Sequence, residues 1–256
     1  MRELSATNSA AGHADGPPVL DLERPATAAK PVPYITARWE EELPALLRRL
    51  RLPTPGVVQV GAHTGQEVRA LTRCGFRRLV MVEPNRDHTA ALREQLERHH
   101  ATARLAPPTD GHPPREVVLA AAGRERGQAV LHVTEYDQQA SMLPPLPPLT
   151  VSRNDVTPVI PVREVQHGCN VLVLDVQGAE LEVLAGADLD RLQLAVIEGS
   201  TWPRYDGGAT VATIADYMHA RGWQQVAVWA HKRPNVVDVA WLAPLPLSAR
   251  ISAAAS

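Results

Sequence analysis

The sequence lacks most of the features that mark secreted, membrane-bound or nucleic-acid-binding proteins. It has two cysteines in 256 residues, Cys74 and Cys169, and their wide separation indicates neither a disulfide framework nor a metal-ligand spacing. No apolar run approaches the roughly 20 residues of a membrane span, and the N-terminus has no apolar signal segment. The formal net charge is -2, with basic residues spread along the chain. We therefore expect a cytoplasmic protein with a small-molecule partner and no nucleic-acid or membrane partner.

The composition predicts one folded domain preceded by a tail. Residues 1–33 are rich in Ala, Pro, Ser and Gly, which predicts a disordered or loosely docked segment. Residues 34–256 are predicted to form a single domain, since this length can bury a substantial core. It begins with an amphipathic helix over about 38–51 and continues as a core over about 55–243. The sequence leaves open whether the chain forms a homo-oligomer.

Short apolar runs alternate with amphipathic stretches, which predicts βα units around a largely parallel sheet. A Pro-rich segment over about 137–161 interrupts them and is predicted to be irregular and lid-like. The last two runs are predicted to form an antiparallel hairpin, and the run 128–133 could lie at an edge. The predicted strands are 57–62, 78–84, 116–123, 128–133, 170–176, 194–200, 224–231 and 236–243, and the predicted helices of the core cover about 65–74, 87–99 and 211–221.

The stretch VVQVGAHTGQE joins the first core strand to a helix through Gly61 and Gly65. Glycines here allow a tight turn and let a ligand approach the helix start. The next strand ends at Glu83, 22 residues after Gly61, close to the spacing of an acid that binds ribose hydroxyls. The loop GAHTG lacks the second glycine of a dinucleotide site, and no Lys-Ser/Thr pair follows, so an NAD site is disfavoured and a P-loop is excluded. The pattern predicts an adenosine-type ligand.

Six motifs together resemble the FkbM family of S-adenosylmethionine-dependent methyltransferases. In chain order they are VGAHTGQE (60–67), VEPN (82–85), AAAG (120–123), SML (141–143), LDVQGAELEVLAGA (174–187) and IEGS (197–200). The resemblance implies an α/β class I methyltransferase (Rossmann-like) fold, a seven-stranded mostly parallel sheet with an antiparallel C-terminal hairpin. It also implies O-methylation of a sugar or natural-product hydroxyl, with S-adenosyl-L-methionine as cofactor and S-adenosyl-L-homocysteine as product.

The resemblance assigns roles to residues of the cofactor site. It implies that the glycine loop, including His63 where the family often has Asn, borders the methionine part of the cofactor, and that Glu83 binds the ribose. Ser141, at the start of the irregular segment, could reach the adenine or the acceptor. The predicted cofactor-binding residues are Gly61, Ala62, His63, Gly65, Glu83, Asn85, Ala121, Ala122, Ser141 and Asp175.

The candidate catalytic residues are Asp175, His63 and Glu198. Asp175 ends a central strand, where ligands of open α/β sheets bind, and could act as general base, anchor of the cofactor amino group or metal ligand. Glu198 ends the next strand and could share a proton or a divalent cation with Asp175, or pair with Arg204. His63 could serve as a base near neutral pH. No metal motif is present, so a divalent cation is considered but no metal site is predicted.

The sequence also raises the roles of two further carboxylates, and it leaves two alternative functions open. Glu180 is either a helix-capping residue or part of the site, whereas Glu182 should face solvent. The alternatives to a methyltransferase are a nicotinamide-dependent oxidoreductase and a catalytically silent cofactor-binding protein. The sequence does not identify the acceptor.

Overall fold

A computed structural model describes residues 34–35, 38–100, 113–231 and 235–244 of the chain. The predicted tail over residues 1–33 lies outside these ranges. The described strands are β1 (Tyr34–Ile35), β2 (Gly56–Val60), β3 (Arg78–Glu83), β4 (Arg115–Leu119), β5 (Ala121–Ala122), β6 (Gly127–Thr134), β7 (Val151–Ile160), β8 (Val171–Leu174), β9 (Leu194–Ser200), β10 (Gln224–Ala230) and β11 (Val236–Leu242). The described α-helices are α1 (Trp39–Arg49), α2 (Val68–Arg73), α3 (Thr89–His100), α4 (Glu180–Ala185) and α5 (Val211–His219).

The main sheet has the order β1-β10-β11-β9-β8-β2-β3-β4. Five adjacent strands of this sheet run parallel to one another, namely β9, β8, β2, β3 and β4. Strand β11 lies antiparallel between β9 and β10. The predicted seven-stranded sheet with an antiparallel C-terminal hairpin is confirmed, and the two-residue β1 adds an eighth strand beside β10. The carboxyl ends of the parallel strands and of β10 therefore meet at one edge of the sheet.

Helices cover both faces of this sheet, which explains the continuous apolar runs of its central strands. Every residue of β2, β3 and β8 is buried. The apolar faces of α1, α2 and α3 share one core cluster with alternate residues of the strands, including Leu194 and Val196 of β9. On the opposite face of β9, Gly199 approaches Val211 of α5 closely. Strands buried on both faces have no need for polar alternation, as the sequence shows.

A second, three-stranded sheet with the order β5-β7-β6 corrects two expectations and refines a third. The prediction of a single strand over 116–123 is wrong, because the chain bends at Ala120 and β5 leaves the main sheet. The run 128–133 does lie at an edge, but of this second sheet. The segment 137–161 is not irregular throughout, since the ten residues Val151–Ile160 form β7, antiparallel to β6. The Pro-rich part ends at Pro148, and the exposed polar residues of β7 suit a strand with one solvated face.

Candidate active site

One cavity of about 610 Å³ opens at the edge of the main sheet where the parallel strands end. Its volume lies within the range of small-molecule sites. The predicted site residues that line it are Gly61, His63, Glu83, Ala121, Ala122, Ser141, Asp175 and Glu198. Ala62, Gly65 and Asn85 do not line it. The structure thus brings together eight of the predicted residues, drawn from segments that are distant in the sequence.

The Glu83 carboxylate is held by main-chain amides at the end of β3. Its Oε2 accepts a hydrogen bond from His63 N at 2.7 Å, and its Oε1 accepts one from Asn85 N at 2.8 Å. Asn85 is itself buried and caps the following turn, with its Oδ1 accepting from Asp87 N at 3.1 Å. Asn85 therefore supports Glu83 from behind, and the fixed carboxylate keeps lone pairs for hydroxyl donors in the cavity.

His63 belongs to the same end of the cavity as Glu83. Its backbone is left-handed, with a φ of 47°, which points its amide at Glu83. The imidazole ring packs against the ring of His88, with centroids 3.9 Å apart, and its Nδ1 lies 2.9 Å from Gln66 Nε2. The ring is thus held within the loop that follows β2.

Gly61 lies where the loop after β2 crosses the end of β8. A Cβ atom at this position would lie 1.8 Å from the main-chain oxygen of Asp175, and the φ of 81° is one that side-chain-bearing residues rarely adopt. The close contact between the two strand ends therefore requires glycine here, whether or not a ligand also approaches this position. Beside it, the small side chains of Ala121 and Ala122 form an apolar wall together with Leu131 and Met142.

The carboxylates of Asp175 and Glu198 are joined by Gln177. Asp175 follows β8 and Glu198 lies in the adjacent strand β9, as the order of the runs predicted. Gln177 Nε2 donates to Asp175 Oδ1 at 2.5 Å and to Glu198 Oε1 at 3.0 Å. Gln177 has a left-handed φ of 54°, and its Oε1 accepts from the Tyr205 hydroxyl at 2.9 Å. Arg204, the alternative partner of Glu198, donates to Gln139 instead.

These carboxyl groups hold protons more tightly than exposed acids do. Burial, reinforced by the nearby Glu198, raises the pKa of Asp175 well above its ordinary value. Burial, reinforced by Asp238, likewise raises the pKa of Glu198. Burial also raises the pKa of Glu67, another lining residue, to about 7. The shared cause is that an anion loses hydration in the cavity while like charges crowd it.

His231 and Asp238 are among the lining residues that were not predicted site residues. Asp238 lies in β11 directly opposite Glu198, and His231 follows β10. His231 Nε2 lies 2.6 Å from Asp238 Oδ2. Burial lowers the pKa of His231, but the hydrogen bond and the charge of Asp238 outweigh it and raise the pKa to about 9. An acidic residue inside the apolar run VVDVAWL was the signal that could have revealed this pair.

The hydrogen bonds and ion pairs of three other residues indicate their roles. Ser141 Oγ donates to the main-chain oxygen of Gln177 at 2.7 Å, so Ser141 holds the loop after β8. Glu180 is buried and accepts a hydrogen bond from Gly178 N at 2.9 Å, which fits the capping interpretation. Glu182 is exposed and pairs with Arg124 at 3.2 Å, as expected of a solvated residue.

The fold and the site together define a class I methyltransferase: a parallel sheet with an antiparallel last strand, an acid at the end of β3 and a glycine turn after β2. The family model of the methyltransferase FkbM domain matches residues 59–224. The chain therefore belongs to the FkbM methyltransferase family and is an S-adenosylmethionine-dependent methyltransferase.

Comparison with solved structures finds similar chains of low identity. Magnesium protoporphyrin IX methyltransferase from Synechocystis PCC 6803, solved with bound S-adenosylmethionine, is 10% identical, with coverage of 80% of this chain and 78% of that chain and a TM-score of 0.47. A putative RNA methyltransferase from Pyrococcus horikoshii is 13% identical, with coverage of 81% and 83% and a TM-score of 0.46. No curated protein sequence matches the chain. Among the described residues, no helix combines the length and the apolar character needed to cross a membrane.

The residues of the cavity fit S-adenosylmethionine. The fixed carboxylate of Glu83 can accept from two sugar hydroxyls, and the wall of Ala121 and Ala122 leaves flat apolar space for a base. The cofactor also carries a sulfonium and an ammonium group. Half-buried carboxylates such as Asp175 and Glu67 are the partners that these positive charges require.

Proposed function

We propose that the protein transfers the methyl group of S-adenosylmethionine to a hydroxyl of a sugar or natural-product small molecule. The observation that carries the proposal is the half-buried pair of Asp175 and Glu198 at the opposite end of the cavity from Glu83. Three strand steps separate Glu83 in β3 from Glu198 in β9, about 14 Å at the usual spacing. That length accommodates an extended cofactor with an acceptor beyond it.

The proposed cofactor position follows from the two ends of the cavity. The ribose hydroxyls would bind Glu83, and the adenine would lie against Ala121 and Ala122. The methionine part would then cross the glycine turn at Gly61, and its charged groups would approach Asp175. The methyl group would face the space in front of Glu198.

Methyl transfer is an in-line displacement in which the acceptor O–CH₃ bond forms as the S–CH₃ bond breaks. Holding the acceptor oxygen in line with sulfur supplies most of the acceleration. The hydroxyl proton must pass to a base, and the Asp175–Glu198 pair is the candidate, because a carboxylate of raised pKa accepts protons well near neutral pH. His63 stays a third candidate base, but its contacts hold it at the Glu83 end.

The charge of the cavity supports a small acceptor that carries no phosphate. The cationic side chains lining the described cavity are Arg38 and His231, and Arg38 is paired with Glu40. A nucleic-acid acceptor would bring phosphates toward an excess of carboxylates and would be repelled. The acidic lining residues are Glu40, Glu67, Glu83, Asp175, Glu198 and Asp238.

The test is a screen of hydroxylated metabolites for release of S-adenosylhomocysteine, followed by substitution of Asp175. With an accepted substrate, Asp175→Asn is expected to lower kcat by about 10²-fold or more, since a general base contributes about that much. Glu182→Gln, at an exposed site outside the cavity, is the matched control and should keep wild-type turnover. Wild-type turnover in Asp175→Asn would remove Asp175 from the mechanism, and an RNA acceptor would overturn the proposed substrate class.

A further inference from the structure

Donor atoms from three neighbouring strands converge on one side of the cavity. They belong to Glu198 of β9, His231 after β10 and Asp238 of β11, and all three residues line the cavity. His231 Nε2 lies 2.6 Å from Asp238 Oδ2 and 3.5 Å from Glu198 Oε2. One donor atom from each residue lies within 4.8 Å of the others. Two ligands that each lie about 2.0–2.2 Å from one ion are at most about 4.4 Å apart, so small side-chain shifts would place these three donor atoms around one ion.

The sheet itself fixes this arrangement. Asp238 stands opposite Glu198 on one side and opposite Trp229 on the other, so two ladders of hydrogen bonds hold β11 in register. Ala230, directly before His231, pairs with Val237. Ligands carried on paired strands keep their positions better than ligands on loops, which favours a preformed site.

A further layer of contacts orients Glu198. Its Oε1 accepts from Gln177 Nε2 at 3.0 Å, while its Oε2 is the oxygen nearer to His231. Gln177 is fixed in turn by the Tyr205 hydroxyl at 2.9 Å, and both Gln177 and Tyr205 are buried. Hydrogen-bonded support behind a ligating carboxylate is the usual surrounding of a metal ligand in proteins.

The charges at this end of the cavity favour a cation. Asp175 adds a third carboxylate next to the half-buried Glu198 and the buried Asp238, and His231 is the single imidazole among them. Arg38 also lines the cavity, but it is paired with Glu40. Buried anions are costly unless a positive charge compensates them, and a divalent ion compensates more than one imidazolium does.

We propose that Glu198, His231 and Asp238 bind one divalent first-row transition-metal ion, with open coordination positions toward the cavity. Two carboxylates and an imidazole suit Mn²⁺ or Zn²⁺ better than Mg²⁺ or Ca²⁺, which prefer oxygen ligands alone. Ion binding does not depend on the identity of the acceptor. Under the proposed function the ion would bind the acceptor hydroxyl and ease the loss of its proton.

The experiment is titration of the chelator-treated full chain with MnCl₂ and with ZnCl₂, by calorimetry and, for Mn²⁺, by electron paramagnetic resonance. We expect one ion per chain for the wild type. His231→Ala and Asp238→Asn should each weaken binding by about tenfold or more, because even residues behind a metal ligand contribute about 10- to 100-fold. The matched control is His132→Ala, since His132 binds Asn154 outside the cavity and its loss should leave ion affinity unchanged.

Binding of S-adenosylhomocysteine by each variant, measured in parallel, separates loss of the ion from loss of the fold. No saturable binding by the wild type at millimolar Mn²⁺ and Zn²⁺ would overturn the proposal. Unchanged affinity in a folded His231→Ala or Asp238→Asn variant would overturn it as well. Methyl transfer that persists in either case would leave the proposed function standing, so the two proposals fail separately.

Discussion

At the scale of single residues, Glu83 shows how main-chain groups prepare a side chain for a ligand. Its two oxygens accept hydrogen bonds from the main-chain amides of His63 and Asn85, so the carboxylate cannot rotate away from the cavity. An amide at this position would turn an NH₂ group toward one of these N–H donors. The charge and the acceptor geometry would be lost together.

Glu83→Gln is therefore expected to weaken S-adenosylhomocysteine binding by about 10- to 100-fold, the equivalent of about 1.5–3 kcal/mol for a hydrogen bond to a charged group. Isothermal titration calorimetry measures the dissociation constant directly. The exposed Glu182→Gln serves as control and should bind like the wild type. An unchanged dissociation constant in Glu83→Gln would exclude Glu83 from ribose binding.

Glu180 gives a pH-dependent prediction at the same scale. Burial raises its pKa from 4.5 to about 7, although the amide of Gly178 opposes the shift. The folded state therefore binds this proton more tightly than the unfolded state, so the contribution to stability is full below about pH 4.5 and is lost as pH rises through about 7.

Glu180→Gln keeps an oxygen for the Gly178 amide and removes the titration. Relative to the wild type, its free energy of unfolding should increase between about pH 4.5 and 7, by up to about 3 kcal/mol. Urea unfolding at pH 5 and at pH 8 measures this difference. Parallel pH profiles of the two proteins would show that Glu180 does not carry the raised pKa.

At the scale of elements, the crossing of the β2 loop over the end of β8 depends on Gly61. A Cβ there would lie 1.8 Å from the Asp175 oxygen, in a left-handed backbone. Gly61→Ala is expected to lower the free energy of unfolding by about 2–5 kcal/mol through overpacking and backbone strain. Gly127→Ala is the matched control, since its Cβ meets no atom within 4 Å, and should change stability by less than about 0.5 kcal/mol. Equal stability of the two variants in chemical denaturation would contradict the close crossing.

The two sheets show which elements could be predicted from local pattern. The apolar runs of β2, β3, β8 and β9 predicted strands in the correct positions, because strands covered on both faces need continuous apolar sequence. The run 116–123 gave no sign that it is shared between two sheets. Its bend at Ala120 depends on β7, which reaches β5 from a distant part of the chain.

At the scale of the whole molecule, the cofactor is expected to stabilise the fold. S-adenosylhomocysteine at 100 times its dissociation constant should add about 2.7 kcal/mol to the free energy of unfolding. For a domain of this length that corresponds to a rise in Tm of about 5–10 °C. NAD at the same concentration is the control ligand and should leave Tm unchanged. Stabilisation by NAD alone would contradict the cofactor assignment.

The site residues that could be predicted are those at the ends of strands that the local sequence pattern indicates. Gly61, Glu83, Asp175 and Glu198 each end a strand or follow one, and the carboxyl ends of parallel strands meet at one edge. Asp238 was not predicted, because it lies near the amino end of its strand and the prediction considered carboxyl ends. Only the antiparallel direction of β11 brings that end to the same edge as the others.

The sequence by itself determined the α/β class of fold and the acids at the strand ends, because apolar periodicity and turn chemistry act over a few residues. The resemblance of its six motifs indicated the family. The tertiary structure decided which of these groups share one cavity and how their charges interact. It joined Asp175 to Glu198 through Gln177, and it brought His231 and Asp238 beside them. Packing of the whole chain decides which sheet a run such as 116–123 joins, and the pKa of a buried carboxylate depends on neighbours that no local pattern specifies.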